Sequence, residues 1–291
     1  MSNQIIFIHG MFLNPKCWEH WIHYFEKRDF SCSAPAWPLH DGEPRALRSH
    51  VPEGLGQLKL QDVVDRYRAE IRALDERPIL IGHEMGGLVA QMLAAQDLAT
   101  MAVCIATVPP TELVGADWGI GKNVMTITNP LVGQTPDEMT PERFHDNLSN
   151  TLSHAEALDA FDEYVVPESR QVPRDSLRKL PHFNSEQPHA PLLFLAGAKD
   201  LLVPPDIVKA NAERYRDAGS VSNYHEFPGR SHHLICEPGW QEIAGFAHSW
   251  ILAQADADAS ARLDRLSLAD FHGDPANAPI LRHILPGADD L

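Results

Sequence analysis

Basic residues, cysteines and long apolar runs are all scarce in this chain of 291 residues. Twenty-four Lys and Arg stand against forty Asp and Glu, and a formal net charge of −16 disfavours binding to nucleic acid or to an anionic membrane surface. The four cysteines have no Cys-x-x-Cys spacing, so we expect free thiols in a reducing compartment. No His-Glu-x-x-His or Cys/His cluster has metal-site spacing, and we expect no metal and no other cofactor.

The apolar runs are far shorter than the roughly 20 residues that a membrane span needs. The first run, Ile5-Ile6-Phe7-Ile8, follows no basic segment and is too short for the core of a signal peptide. We therefore expect a cytoplasmic protein whose partner is a small-molecule substrate, and a homodimer is compatible with the sequence. Hydrophobic residues still make up 44% of the chain, which is enough for a sizeable core.

Strand-like and helix-like patterns alternate along most of the chain. Apolar, strand-like runs occur at residues 5–8, 31–35, 78–82, 101–106, 192–196 and 221–227. Helical spacing of apolar residues occurs between them, at 15–28, 60–74, 87–94 and 206–217, and again from 240 onward, whereas 36–57 is typical of a long loop. This alternation predicts an α/β fold with a mostly parallel sheet flanked by helices.

Composition also predicts the domain organisation. Residues 111–188 mix Pro, Gly and polar residues with helix-like patches at Glu142–Ser149 and Ala155–Tyr164, which indicates an inserted helical cap. The core is then formed by residues 1–110 and 189–254. A C-terminal tail follows at 255–291, with a short helix at Ala259–Phe271 and otherwise loop.

The most informative feature is a missing hydroxyl. Residues 82–86 read Gly-His-Glu-Met-Gly between an apolar strand and a helical pattern. Strand, tight turn and helix with small residues on both sides of the central position are typical of a nucleophile elbow, whose usual central residue is Ser. Here that position is Glu84, so the architecture is recognisable while the ordinary reaction is in doubt.

The other strands also end in chemically informative turns, where open α/β sheets place their sites. Together these turns resemble the α/β-hydrolase family over about residues 4–253, and most of all its small bacterial members with a helical cap. The matching segments are Phe7-Ile8-His9-Gly10, Trp18-x-x-Trp21, Ala34-Pro35-Ala36-Trp37-Pro38, Gly82-His83-x-Met85-Gly86-Gly87, Gly197-x-x-Asp200 and Phe227-Pro228-Gly229-Arg230-Ser231-His232.

The resemblance implies a fold and a set of roles. His232 would be the base and Asp200 the residue that orients it, with Glu112 as the alternative acid. The backbone N–H groups of Met11 and Met85 would form the oxyanion hole. Candidate substrate contacts are His9, Gly10, Phe12, Trp37 and Tyr164. Phe12 and Trp37 fit core positions equally well. Tyr164 is the only tyrosine of the predicted cap and also fits a role in packing its helix.

A carboxylate at position 84 changes the chemistry that the elbow supports. It adds poorly to an ester carbonyl, but it displaces leaving groups from saturated carbon and so forms an ester on the enzyme. Water activated by His232 and Asp200 could then hydrolyse that ester. This is the logic of the haloalkane dehalogenase and epoxide hydrolase branches, which use Asp here. The resemblance to them is incomplete, because Glu is one methylene longer and Met85 stands where dehalogenases have Trp.

Several functions for Glu84 remain open at this stage. The first is a hydrolase acting on a small organic substrate with Glu84, His232 and Asp200 as a variant triad. The second is a lyase, isomerase or cyclase in which Glu84 and His232 act as acid and base. The third is a protein that binds a ligand without catalysis. An engineered substitution at position 84 would give the same sequence.

Overall fold

The computed structural model of the chain describes residues 2–110, 128–178 and 186–270. Six strands form one sheet in the order β2-β1-β3-β4-β5-β6, and every neighbouring pair is parallel. The strands are β1 (Gln4–Ile8), β2 (Ser31–Ser33), β3 (Ile79–His83), β4 (Met101–Ile105), β5 (Leu192–Gly197) and β6 (Ser222–Phe227). The predicted α/β class is confirmed.

Helices connect the strands. Within the described residues the α-helices are α1 (Glu19–Glu26), α2 (Pro44–Ser49), α3 (Leu60–Arg72), α4 (Met85–Ala94), α5 (Pro141–Asn147), α6 (His154–Tyr164), α7 (Gln171–Ser176), α8 (Pro205–Arg214) and α9 (Trp240–Asp270). Short 3₁₀ helices lie at Pro15–Trp18, Leu55–Gln57 and Pro130–Val132.

The position of each strand in the sheet explains its composition. β3, β4 and β5 are buried at every residue, because each is paired on both sides and covered on both faces. Edge strand β6 instead carries exposed polar residues such as Asn223 and Glu226. On one face of β1, the Phe7 ring lies 5.0 Å from Trp18 and 6.4 Å from Trp21 between ring centroids, so the helix after β1 packs against the sheet through aromatic side chains.

The strand order places the site at the edge where the carboxyl ends of the strands meet. β1 lies between β2 and β3 in the sheet. The connection after β1 leads to β2 on one side of it, and the connection after β2 leads to β3 on its other side. This reversal of strand order creates a topological switch point between β1 and β3. Ile8 is paired with Gly82 across these strands, and the two turns that follow, at His9–Phe12 and at Glu84, are therefore neighbours.

Three local predictions differ from the structure. The predicted loop 36–57 contains α2, because Pro44 occupies the first turn of a helix, where its missing N–H costs nothing. The helix predicted at 15–28 is divided into a 3₁₀ turn and α1. The short helix predicted at Ala259–Phe271 is part of α9, since an alanine-rich segment with high helix propensity continues that helix to Asp270.

Internal contacts divide the chain into two units, residues 1–248 and 249–291. The sheet and the described part of the predicted cap, including α5, α6 and α7, belong to the first unit. The second unit is described as the continuation of α9. Among the helices of the described residues, none combines the length and apolarity needed to cross a membrane.

Candidate active site

Glu84 lies in the tight turn between β3 and α4. Its backbone has φ 52° and ψ −114°, a conformation that residues with a side chain rarely adopt and that costs roughly 1–3 kcal/mol. The turn closes so tightly that a Cβ added at Gly82 would lie 2.2 Å from the carbonyl oxygen of Gly86. A Cβ added at Gly86 would lie 2.2 Å from the carbonyl oxygen of Ile8. The small residues on both sides of Glu84 are therefore a steric requirement of the turn.

The Glu84 carboxylate is held by two backbone amides. Its Oε2 atom accepts hydrogen bonds from Met11 N at 2.9 Å and from Met85 N at 2.5 Å, and the residue is buried. Met85 begins α4, so the partial positive charge of the helix N-terminus also favours an anion at this point. The two amides that the resemblance assigns to an oxyanion hole thus converge on an oxygen of Glu84 itself.

Asp200 and His232 come together from two neighbouring turns. Asp200 follows β5 and His232 follows β6, and His232 Nδ1 donates to Asp200 Oδ2 at 2.7 Å. Asp200 Oδ1 accepts from Leu202 N and Val203 N, each at 2.8 Å, which fixes the carboxylate in place. Both side chains are buried. This arrangement leaves His232 Nε2 available for proton transfer.

Electrostatics connect Glu84 with His232. Burial raises the pKa of Glu84 above its ordinary value, although the charge of His232 and the Met11 and Met85 amides oppose the increase. For His232 burial acts to lower the pKa, but the charge of Asp200, their hydrogen bond and the charge of Glu84 together raise it. Each group therefore stabilises the charged form of the other.

A largely apolar pocket opens in front of the carboxylate. It has about 530 Å³ of empty volume, part of it continuous with solvent. The described residues that line it are Met11, Phe12, Glu84, Met85, Val108, Pro173, Ser176, Leu177, Leu202 and Val203. Apart from Glu84 and Ser176 these side chains are apolar, so the pocket suits a small apolar molecule that presents its reactive atom to Glu84.

Of the predicted substrate contacts, only Phe12 lines this pocket among the described residues. His9 and Trp37 instead pack on each other, with ring centroids 4.7 Å apart, and His9 Nε2 accepts from Trp37 N at 3.2 Å. Gly10 lies behind Glu84, because a Cβ added there would be 2.8 Å from Glu84 Cβ. Tyr164 packs beside His233, with ring centroids 5.7 Å apart. Glu112, the alternative acid, lies outside the described residues.

Other residues of the site were not found from the sequence. Ser176 and Leu177 come from the predicted cap, and Leu202 and Val203 lie two and three positions after Asp200. Their apolar character alone does not distinguish them from core residues. A buried carboxylate, Glu168, also reaches the site from the cap. Within the described residues, no group of three or more His, Cys, Asp or Glu side chains could hold a metal ion.

Comparison with known proteins agrees with this architecture. The sequence model of the alpha/beta hydrolase family matches residues 5–246, and the chain belongs to that family. A search among curated proteins found no match.

Several solved structures have the same fold. A monoacylglycerol lipase from Paleococcus ferrophilus is 18% identical, with a TM-score of 0.61 over 86% of this chain and 94% of that chain. A methylesterase from Arabidopsis is 15% identical, with a TM-score of 0.61 over 86% and 99%. Tomato methylketone synthase I, solved with 2-tridecanone, is 13% identical, with a TM-score of 0.64 over 87% and 99%. At such identities the likeness establishes the fold alone.

The close approach of Gly10 to Glu84 leads to a first prediction. In Gly10→Ala the new methyl group would lie 2.8 Å from Glu84 Cβ and 3.0 Å from Glu84 Oε2, so we expect displacement of the carboxylate and a loss of about 1–3 kcal/mol in the free energy of unfolding. Denaturant unfolding measures the loss. Gly219→Ala is the matched control, since its nearest contact would be an ordinary 3.5 Å. Equal stability of the two variants would contradict the packing described here.

Proposed function

We propose that this protein is a hydrolase in which Glu84 attacks a saturated carbon and forms an ester that His232 and Asp200 then help water to cleave. One observation carries the proposal: Glu84 Oε2 accepts both the Met11 and the Met85 amide. In a serine hydrolase such amides stabilise an oxygen of the substrate. Here an oxygen of the protein fills that position, which argues against direct attack on a substrate carbonyl.

The first step uses the other carboxylate oxygen. Oε2 is bound to the two amides, so Oε1 forms the new bond to carbon while the leaving group departs with the electron pair of the broken bond. The apolar lining of the pocket favours this displacement, because a carboxylate is a stronger nucleophile when little water surrounds it. The product of the step is a neutral ester of Glu84.

The second step returns the enzyme to its starting state. His232 removes a proton from water, and the hydroxide oxygen adds to the Glu84 carboxyl carbon. The negative charge develops on Oε2, where the Met11 and Met85 amides already donate. Collapse of this intermediate breaks the bond to the alcohol oxygen, which takes the proton from His232. Water and the ester thus give an alcohol and the Glu84 carboxylic acid, which releases its proton and becomes the carboxylate again.

The charge of Glu84 couples the two steps. In the free enzyme the charges of Asp200 and Glu84 outweigh burial and raise the pKa of His232. Ester formation removes the Glu84 charge, so the pKa of His232 falls and the imidazole becomes the neutral base that the second step needs. The base is therefore activated after the ester has formed.

This coupling leads to a second prediction. Glu84→Gln keeps the size of the side chain but removes its charge, so we expect a lower pKa for His232 than in the wild-type protein. Titration of the His232 ring nitrogens by NMR in both proteins measures the difference. An unchanged midpoint would mean that the two groups do not face each other across the site.

A second function is favoured by the burial of Glu84. Because burial raises its pKa, Glu84 is also suited to donate a proton, as in a lyase, isomerase or cyclase with His232 as its partner. That function needs no bond between Glu84 and the substrate. A third hypothesis, binding of a ligand without catalysis, predicts affinity without turnover.

Turnover of a substrate panel tests the proposal. The names of the lipase and methylesterase neighbours suggest esters, whereas the filled amide pair favours small apolar epoxides and haloalkanes. We expect hydrolysis of a member of the second group by the wild-type protein and by Glu138→Gln, an exposed control, and a loss of at least about 10³-fold in Glu84→Gln. Full activity of Glu84→Gln, or preferential ester hydrolysis, would refute the proposal.

A further inference from the structure

A second buried carboxylate lies next to the site. Glu168 is fully buried, and its backbone pairs with Asp137 in an antiparallel bridge. Its Oε1 atom accepts from Ser169 N at 2.6 Å. Its Oε2 atom faces His40 Nε2 at 3.2 Å and accepts from Phe12 N at 3.3 Å. A carboxylate of the predicted cap thus binds the same loop that supplies Met11 to Glu84.

The partners of His40 indicate an ion pair with Glu168. His40 Nδ1 lies 3.0 Å from the carbonyl oxygen of Pro38, and a carbonyl only accepts, so Nδ1 carries a proton. Nε2 faces the carboxylate of Glu168 and donates as well. An imidazole that donates from both nitrogens is an imidazolium, and the charge of Glu168 raises the pKa of His40 despite its burial. The neighbouring His9 is neutral, since its Nε2 accepts from Trp37 N.

The ion pair holds Phe12 in an unfavourable conformation. Phe12 has φ 61°, in the left-handed region that residues with a side chain rarely adopt. The cap holds the residue on both sides, because Phe12 N donates to Glu168 and Phe12 O accepts from Val166 N at 3.0 Å. The preceding amide, Met11 N, donates to Glu84. Two consecutive amides therefore bind two different buried carboxylates.

We propose that Glu168, paired with His40, is a positioning residue: it fixes the Met11–Phe12 peptide and thereby the adjoining Gly10–Met11 peptide, so that the Met11 amide stays directed at Glu84. The proposal rests on the proposed function for its effect on turnover, and on the hydrogen bonds alone for its effect on the loop. Removal of Glu168 frees Phe12 N and lets residue 12 leave the left-handed region. The Met11 amide then turns away from Glu84, whereas the Met85 amide, fixed by the start of α4, remains.

Glu168 also acts on the charge of Glu84. Its negative charge is among the influences that raise the pKa of Glu84, after burial. The Met11 hydrogen bond lowers that pKa more strongly than the Glu168 charge raises it, so the loss of both in a Glu168 variant shifts the titration of Glu84 to higher pH. A residue that merely stabilised the fold would move neither the direction of one amide nor this titration, so the two effects distinguish positioning from a structural role.

Selective labelling makes both effects measurable without a substrate. The chain has seven methionines, so ¹⁵N-methionine labelling gives few amide signals, and Glu84→Gln identifies Met11 and Met85 among them. In Glu168→Gln we expect the Met11 signal to move toward the chemical shift of an amide without a strong hydrogen bond and the Met85 signal to keep its wild-type position. We expect both signals to titrate with Glu84 at higher pH than in the wild-type protein. Asp137→Asn is the matched control, since it breaks buried ion pairs with Arg143 and Arg170 in the same segment without a contact to Phe12.

Kinetics complete the test. With a substrate of the wild-type protein, we expect kcat of Glu168→Gln to fall about 10²-fold and KM to change little, because the lost amide stabilises charge that develops on Oε2. The double variant His40→Gln/Glu168→Gln checks folding, since it leaves no unpaired buried charge, and we expect the same Met11 shift in it. Unchanged Met11 signals in folded variants would overturn the positioning role. The Met11 and Met85 amide signals test the positioning role of Glu168, and turnover by the wild-type protein tests the proposed function. Either proposal can therefore fail while the other holds.

Discussion

His232→Gln accumulates an ester on Glu84 when it is mixed with a reactive substrate. Displacement by Glu84 needs no base, whereas hydrolysis of the ester needs His232 to take a proton from water. General bases contribute about 10²–10⁴-fold, so we expect ester hydrolysis to slow by about 10³-fold while ester formation continues. Intact-mass spectrometry then shows a mass increase equal to the whole substrate for an epoxide, or to the substrate less HX for a haloalkane. Peptide mapping assigns the increase to Glu84.

His233→Gln is the matched control for this experiment. His233 is also a buried histidine and directly follows His232, but its ring packs beside Phe144, with centroids 5.2 Å apart, and burial lowers its pKa to about 3. We expect it to turn over substrate without a lasting adduct, provided that its melting temperature shows a folded protein. A different set of results would instead favour acid–base chemistry. In that case the wild-type protein turns over substrate, His232→Gln forms no adduct, and Glu84→Gln loses turnover.

Glu84→Ser gains esterase activity. The shorter side chain vacates the position between Met11 N and Met85 N, so these amides can bind the oxygen of a substrate carbonyl. Serine at this turn meets a base already oriented by Asp200 at 2.7 Å. Glu84→Ala frees the same amides but has no nucleophile. Because a nucleophile activated by a general base gains about 10²–10⁴-fold, we expect Glu84→Ser to hydrolyse p-nitrophenyl butyrate at least about 10²-fold faster than Glu84→Ala.

Two controls define what the gain means. Glu84→Ser/His232→Gln should lose the new activity, since serine then has no base. Wild-type protein should hydrolyse the ester no faster than Glu84→Ala, because its carboxylate occupies the two amides. Rapid ester hydrolysis by the wild-type protein would show that these amides are accessible to substrate and that Glu84 does not fill them.

The fold could be predicted because its signals are local. The apolar runs that form β1 and β3 are set by burial on two faces. The small residues Gly82 and Gly86 beside Glu84 are set by the lack of space, since a Cβ added at either position would lie 2.2 Å from a backbone oxygen. The length of α9 was not predicted, because its alanine-rich part was interpreted as a tail. The helix α2 was missed because the Pro, Gly and His residues of the segment 36–57 were taken as loop signals.

The site could be predicted only in part. Glu84, Asp200 and His232 each follow a strand in recognisable turns, and the parallel sheet brings these turns to one edge. Glu168 and His40 lie 128 positions apart, and no local pattern relates them. The pocket residues from the predicted cap are likewise set by tertiary packing. Nor does the sequence specify which Glu84 oxygen receives the two amides, on which the choice of mechanism depends.

A single turnover in H₂¹⁸O tests the central claim most directly. With enzyme in excess over substrate, water attacks the carboxyl carbon of the Glu84 ester, so the label enters Glu84 and the alcohol carries an unlabelled oxygen from the protein. Mass spectrometry of the Glu84 peptide and of the alcohol measures both. We predict one ¹⁸O atom in the Glu84 side chain and none in the newly formed hydroxyl group of the product. If that hydroxyl group carries the ¹⁸O and Glu84 is unlabelled, the result contradicts a covalent role for this carboxylate.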